Sequence, residues 1–450
     1  MSSNFTIIAL STPPGLGALA IIRLSGPRAL DILYHLTRSS IKLSPRVAHN
    51  LNIFEGNDVL DNAIIIFYKE PASYTGEDLV EISCHGSPFI INKIIELCTK
   101  KGAALAQPGE FTRRAFINGK IDLTQAEAVA DLVFSQTQSA HKAAMHLLEG
   151  DVGREIETLR KDLIDLISIL ELELDFADNE IDPLPISDQI IMLDKILKIN
   201  NFLLNSYSCG KIIKQGALVP IIGPPNSGKS SLLNALLNKE RAIVTPYPGT
   251  TRDSLEETVQ TGGYLLRLLD TAGIRKTKNP IEKLGINRTK DCINKGDIVL
   301  FVVDVTGPIK RDWSNYYKRE NVITVINKID IASKEEIARY DMHFKRHPHV
   351  QISAKNRIGI DNIKSIIAKM LSLKTGSSDS LIITNQRQAQ NLRVARSYLL
   401  NAKKHLNYNL SPEIIIADLR QALGEYDKIL GKTSTEEILN NIFQNFCIGK

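Results

Sequence analysis

The sequence has little of what marks secreted, membrane-spanning or metal-stapled proteins. Its five cysteines, at positions 84, 98, 209, 292 and 447 of 450 residues, are odd in number, scattered and never spaced C-x-x-C. That excludes a disulfide framework and a zinc ribbon, and it predicts a reducing, cytoplasmic location. No apolar run approaches the ~18–20 residues that cross a bilayer. The opening MSSNFTIIAL lacks the basic stretch of a secretory signal. A formal net charge of +5 is too weak at this length to argue by itself for nucleic acid. No internal repeat is detectable. His343, His347 and His349 lie close together, but with no partnering acid on a defined site they are a surface cluster rather than zinc ligands. What remains is an ordinary globular composition, 43% hydrophobic and 23% charged, with room for two to four domains.

Residues 1–118 mix strand-like runs at 7–10, 18–24, 63–68 and 79–83 with helical patterns near 28–37 and 88–101, which predicts an α+β domain. At Thr124-Gln-Ala-Glu127 a capping-box pattern opens a long helical stretch toward Asp178, broken by Pro183 and Pro185 before a further helix near 187–207. Ten acidic against three basic residues between Asp151 and Glu180 predict a surface that repels a phosphate backbone. From Ala217 short apolar runs at 218–222, 265–269, 298–303, 322–326 and 350–352 alternate with helices, the pattern of a doubly wound, mostly parallel sheet. The pattern closes near Leu373, a polar linker spans 375–380, and 384–446 is helical again. The expected architecture is therefore an α/β domain (212–375) inserted into an all-α domain of two segments (119–211 and 376–450), after an α+β domain (1–118).

The α/β segment carries four nucleotide motifs in order. Residues 223–230, Gly-Pro-Pro-Asn-Ser-Gly-Lys-Ser, fit the phosphate-binding P-loop, whose backbone N–H groups wrap phosphate oxygens at a helix N-terminus. Lys229 is placed to reach the β/γ-phosphates and Ser230 to offer its hydroxyl to Mg²⁺. Asp270-Thr271-Ala272-Gly273 ends a strand, where a carboxylate can organise the metal's water shell and the Gly273 N–H can meet the γ-phosphate. Asn327-Lys328-Ile-Asp330 selects guanine, because Asp330 can accept from both N1–H and the 2-amino group, and adenine would leave that carboxylate unpaired. Ser353-Ala354-Lys355 fits the loop against the guanine edge. The segment Thr245-Pro-Tyr-Pro-Gly-Thr-Thr-Arg-Asp253 supplies switch I, with Thr251, or its neighbour Thr250, as a second Mg²⁺ hydroxyl. Asn226, Ser227, Gly228 and Ser231 complete the expected GTP contacts. Ile274 follows Asp270-Thr-Ala-Gly273 where many small GTPases place a water-orienting glutamine, so another group must serve. Asn226 and Glu282 are the candidates nearest in sequence.

On these residues, and on blocks outside them, the chain resembles the MnmE (TrmE) tRNA modification GTPase family along its whole length. The outer blocks include Arg23-Leu-Ser-Gly-Pro27, Ser73-Tyr-Thr-Gly-Glu-Asp78, Cys84-His-Gly86, Pro108-Gly-Glu-Phe-Thr-Arg-Arg-Ala-Phe116, Asn118-Gly-Lys-Ile-Asp-Leu-Thr-Gln-Ala-Glu-Ala128, Gly249-Thr-Thr-Arg-Asp253 and the terminal Cys447-Ile-Gly-Lys450. Leu16 departs from the basic or polar residue of many relatives. The resemblance implies a cytoplasmic homodimer, outside the membrane, whose N-terminal domain binds a 5-formyl or 5,10-methylene tetrahydrofolate through Arg23, Glu81, Lys120 and Lys450. It implies an FAD-dependent MnmG (GidA) partner in a heterotetramer or larger complex, and tRNA modified at C5 of the wobble uridine. It also implies K⁺ held by Asn226, Thr245, Tyr247 and Thr250 in place of an arginine finger, with Glu282 orienting the water and Lys229 on the phosphates. Two other readings fit the nucleotide motifs, a ribosome-assembly GTPase acting as a binding switch and a folate-dependent one-carbon enzyme with a regulatory G domain. The first gives no reason for the N-terminal blocks or the terminal tetrapeptide.

Overall fold

The computed structural model describes residues 5–175, 184–237, 256–270, 293–375, 381–433, 435–444 and 446–449. The chain divides into two compact units, one of residues 1–130, 147–181 and 411–450 and the other of residues 131–146 and 182–410.

The first unit is built on a six-stranded sheet of β1 (Ile7–Leu10), β2 (Leu19–Ser25), β3 (Ala48–Glu55), β4 (Asp58–Tyr68), β5 (Leu79–His85) and β6 (Ala104–Leu105), in the order β3-β4-β5-β2-β1-β6. Neighbours are antiparallel except β1 and β6. Along β4 the buried residues Asp61, Ala63, Ile65 and Phe67 alternate with more exposed ones, the period of a sheet covered on one face. Helices α1 (Ala29–Thr37) and α2 (Pro88–Lys100) supply that cover, packing Ile32, Leu33, Ile91 and Ile94 on Ile22, Leu24, Ile65 and Ile82. Strand β3 was not expected, because as an edge strand it buries fully only Ile53 and its polar residues hide the pattern.

The long helix expected from Thr124 is instead three helices after α3 (Glu110–Ile117): α4 (Leu123–Phe134), α5 (Gln138–Leu148) and α6 (Asp151–Asp175). Gly150 interrupts it with φ of 83°, a left-handed conformation that glycine adopts without steric cost. The expected Thr124/Glu127 capping box is replaced by one two residues earlier. Asp122 Oδ1 accepts from Gln125 N–H at 2.9 Å, and Gln125 Oε1 accepts from Asp122 N–H at 3.0 Å. The acidic residues of α6 are partly neutralised by ion pairs. Glu171 of α6 pairs with Arg420 of the helix Pro412–Leu430 at 2.7 Å and Glu157 with Lys432 at 2.7 Å, while the α6 cation Arg160 is itself held by Asp427 at 2.6 Å.

The second unit contains α7 (Ile186–Gln215) and a sheet of β7 (Ala217–Ile222), β8 (Glu256–Thr261), β9 (Tyr264–Asp270), β10 (Val299–Asp304), β11 (Val322–Asn327) and β12 (His349–Gln351). Its order is β12-β11-β10-β7-β9-β8, parallel throughout except for β8 on β9. Strands β10 and β11 are buried on both faces, with Leu300, Val302, Ile323 and Val325 in one core and Val299, Phe301, Val303 and Ile326 in the other. That two-sided burial explains their uninterrupted apolar runs. The chain enters and leaves this α/β region along α7. Gly210 lets Ile383 approach so closely that a Cβ would overlap its carbonyl oxygen, while Cys209 Sγ donates to the Lys374 carbonyl at 2.9 Å.

Candidate functional site

The P-loop joins β7 to α8 (Lys229–Leu237), so residues 223–228 lie at the carboxyl end of a central strand. Brought against β10, Gly223 has no room for a Cβ, which would overlap the Val302 carbonyl oxygen. Asn226 and Gly228 adopt positive φ of 61° and 92°, and the turn they make aims the chain at the first turn of α8. Asparagine tolerates that conformation better than most residues. Lys229 Nζ donates to the carbonyls of Gly223 and Pro224 at 3.1 and 2.7 Å, folded back over its own loop. These parts fit a nucleotide phosphate: a glycine-bearing turn, a helix N-terminus and an ammonium that donates to carbonyl oxygens of its own loop. Ser230 and Ser231 stand exposed on the first turn of α8.

The guanine motif is tied to this loop by one side chain. Asn327, buried at the end of β11, donates from Nδ2 to the Ser227 carbonyl at 2.8 Å and accepts at Oδ1 from Ala354 N–H at 3.0 Å. Gly228 must be glycine for the same reason, since a Cβ would overlap the Asn327 amide nitrogen. Ser353 is fully buried and its Oγ accepts from Asn356 N–H at 3.1 Å, which shapes the loop that carries Ala354 and Lys355. Asp330 is exposed beside it. Lys328, at φ of 71°, pairs with Asp304 at 2.6 Å. Burial works against ionisation of Asp304, but Lys328 and the Thr306 hydroxyl and N–H outweigh it and hold the carboxyl below the usual carboxylate range. Asp304 was missed from sequence, although a carboxylate closing a buried parallel strand was the available signal. Asp270 is the last residue of β9, in register with Ile221 of β7. Thr245, Tyr247, Thr250, Thr251, Thr271, Ala272, Gly273 and Glu282 lie outside the described residues.

In the first unit the sheet brings Arg23 of β2 opposite Glu81 of β5, and they pair at 2.8 Å. The Tyr68 hydroxyl donates to Glu81 Oε2 at 3.3 Å, and the Arg23 guanidinium lies 5.6 Å from the Tyr74 ring centroid. Burial pushes both tyrosines above their ordinary range, Tyr68 with help from the Glu81 carboxylate. Next to them opens a cleft of about 510 Å³ lined by Arg46, Ile66, Tyr68, Ala72, Ser73, Tyr74 and Lys120. Lys120 Nζ donates to the Pro71 carbonyl at 3.0 Å. The C-terminal tail reaches the same strands. Ser11 Oγ and Arg23 Nη1 donate to the Gly449 carbonyl at 3.2 and 3.4 Å, one residue before Lys450, which lies outside the described residues. A carboxylate, three cations and two phenols beside one open cleft suit a planar heterocycle bearing anionic groups. The tyrosines and Arg46 were invisible in sequence, because the cleft exists only where the end of β4 meets the 71–74 turn.

The histidine cluster resolves into packing. His343 and His347 stack edge-on against Tyr317 at centroid distances of 5.6 and 5.1 Å, and His349 Nε2 meets Asp341 at 2.8 Å, an acid that the sequence did not point to. No helix among the described residues is long and apolar enough to cross a membrane.

The family described as "GTP-binding protein TrmE N-terminus" matches residues 6–120, and that described as "MnmE helical domain" matches residues 123–447. The chain is 40% identical to the tRNA modification GTPase MnmE of Aquifex aeolicus (strain VF5), covering 99% of both chains. It is 41% identical to the protein of the same name from Thermotoga sp. (strain RQ2), covering 99% of this chain and 100% of the relative. A solved structure of Era from Aquifex aeolicus is 26% identical over 41% of this chain and 67% of its own, with a TM-score of 0.28.

Proposed function

Because the chain belongs to the MnmE family of tRNA modification GTPases, and is a GTP hydrolase acting in tRNA modification, we propose that its hydrolysis is K⁺-activated and drives substitution at C5 of the wobble uridine of certain tRNAs. The group added is carboxymethylaminomethyl or aminomethyl, its one-carbon unit comes from a tetrahydrofolate held in the N-terminal cleft, and an FAD-dependent MnmG (GidA) subunit is the partner. The working form is a cytoplasmic homodimer. Its three parts are a folate-binding domain (1–118), a helical domain (119–211 and 376–450) and an inserted G domain (212–375). The adjacent entry and exit of the α/β region along α7, at Gly210 and Cys209, support the insertion.

The observation that carries the nucleotide half is the Asn327 bridge, since it makes the phosphate loop and the base-selecting loop one rigid constellation. Lys229 leaves its two carbonyl partners to neutralise β/γ-phosphate oxygens, where charge builds up in the transition state. Ser230 and Thr251 would hold Mg²⁺, which would neutralise charge on the phosphates. Asn226 of the P-loop would hold K⁺ together with Thr245, Tyr247 and Thr250, and the ion would supply the positive charge that an arginine finger brings elsewhere. Glu282 orients the attacking water, the task that Ile274 cannot perform for want of a hydrogen-bonding group. In the cleft Glu81 turns from Arg23 to the aminopyrimidine edge of the pterin, while Arg23, Lys120 and Lys450 hold its anionic groups. Mass spectrometry of tRNA nucleosides from cells lacking this chain tests the proposal. Loss of the C5-modified wobble uridine is expected, and an unchanged nucleoside profile would sink it.

A further inference from the structure

Two cations face the N-terminal cleft without an acidic partner. Arg46 Nη2 donates to the Ala72 carbonyl at 3.0 Å, and Lys120 Nζ donates to the carbonyl of the preceding residue, Pro71, at 3.0 Å. Both side chains line the same cleft, and among the described residues neither takes part in an ion pair. The third nearby cation, Arg23, is committed to Glu81. Carbonyl oxygens orient a guanidinium or an ammonium without cancelling its charge, so this rim stays positive.

The backbone at Arg46 strengthens the case. Its φ is 62°, in the left-handed region where a long side chain on a β-carbon is disfavoured and glycine is at ease. The conformation is held by the Arg46 N–H, which donates to the Phe67 carbonyl at the end of β4 at 2.7 Å. Glycine at this position would meet the backbone geometry at less cost, yet an arginine occupies it and its guanidinium lies over Ala72 at the cleft. A strained residue with an uncompensated charge on a cleft is a feature of binding sites. The cleft therefore combines two phenol rings, which suit a planar heterocycle, with two cations that are not committed to a carboxylate and suit negative charge on the same ligand.

We infer that Arg46, together with Lys120, forms a subsite for a ligand tail carrying several carboxylates, so that the cleft prefers an oligoglutamylated folate over the monoglutamate. This rests on the folate reading of the cleft and adds a specificity-determining residue to it. The attraction is electrostatic and partly exposed, so it weakens with salt.

The test compares binding of 5-formyl-tetrahydrofolate bearing one glutamate and bearing five, measured by titration calorimetry on the full-length protein, wild type, Arg46→Gln and Arg46→Gly. Arg46→Gln keeps a donor for the Ala72 carbonyl and removes the charge. Arg46→Gly relaxes the backbone and so guards against a folding defect. The wild type is expected to bind the pentaglutamate roughly tenfold more tightly at low salt, a preference that shrinks as salt rises. Both variants are expected to lose most of that preference while their affinity for the monoglutamate changes less than about twofold. A wild type that binds both forms equally, or variants that keep its preference, would overturn the tail subsite and leave the folate reading standing. Failure of the wild type to bind either form would overturn the folate reading itself.

Discussion

Asn327 and Ser227, a hundred residues apart in sequence, are joined by a 2.8 Å hydrogen bond from the Asn327 amide to the Ser227 carbonyl, while the other atom of that amide takes the Ala354 N–H at 3.0 Å. Three motifs that are separate in sequence therefore move as one. Asn327→Ala would strand a buried carbonyl and a buried N–H, each costing about 1–3 kcal/mol. Guanine-nucleotide affinity is expected to fall at least ~tenfold and the melting temperature to drop. Fluorescent-GDP titration and a thermal melt check this, and unchanged affinity would show that the bridge is dispensable.

The proposed K⁺ role has a clean probe in Asn226. At φ of 61° alanine would strain the loop, so Asn226→Gly is the better substitution because glycine accepts that φ and only the amide is lost. Wild-type GTP turnover is expected to be much faster in KCl than in NaCl, and Asn226→Gly to lose that difference while still binding GDP. Glu282→Ala should bind GTP normally but turn over roughly 10²-fold more slowly. Equal wild-type rates in the two salts would refute the cation assignment.

Asp304 and Lys328 make a pH-dependent contribution to stability. The Asp304 carboxyl lies below its ordinary range in the folded state, because Lys328 and Thr306 outweigh the effect of burial. Its contribution is therefore complete above the unfolded value of roughly 3.9 and is lost as pH falls through the lower folded value. The stability advantage of the wild type over Asp304→Asn should be steady near neutrality and shrink below about pH 4. Melting curves across that range check it, and an advantage that grows on acidification would contradict the pairing.

Cysteine reactivity should follow burial. Desolvation pushes Cys84 up to about 11 and Cys98 up to about 12, whereas Cys447 is exposed. At pH 8 the thiolate fraction of either buried residue is ~0.1% or less. Brief iodoacetamide treatment of the native protein, followed by peptide mapping, should label Cys447 well before Cys84 or Cys98. Early labelling of Cys98 would mean that the core around α2 opens far more readily than its packing suggests.

Legibility in the sequence tracked how local each cause was. The parallel strands were readable because burial on both faces leaves continuous apolar runs, and the P-loop was readable because its residues form one contiguous segment of fixed spacing. The edge strands β3 and β8 were not, since an edge keeps polar residues that conceal the period. The long helix from Thr124 is three helices because residues 135–137 break it without a glycine or proline to mark the place and Gly150 breaks it again, and the cap lies at Asp122 rather than Thr124.

By itself the sequence determined that the chain is a GTP hydrolase, because Gly223 to Ser230, Asn327 to Asp330 and Ser353 to Lys355 are contiguous segments with the spacing of nucleotide motifs. Only the tertiary structure decided that Asn327 unites those segments, that Asp304 steadies Lys328, and that Arg46, Tyr68, Tyr74 and Lys120 share one cleft. These are contacts between residues distant in the chain, set by strand order and by the meeting of a strand end with a turn. No local pattern in the amino-acid order records such a meeting.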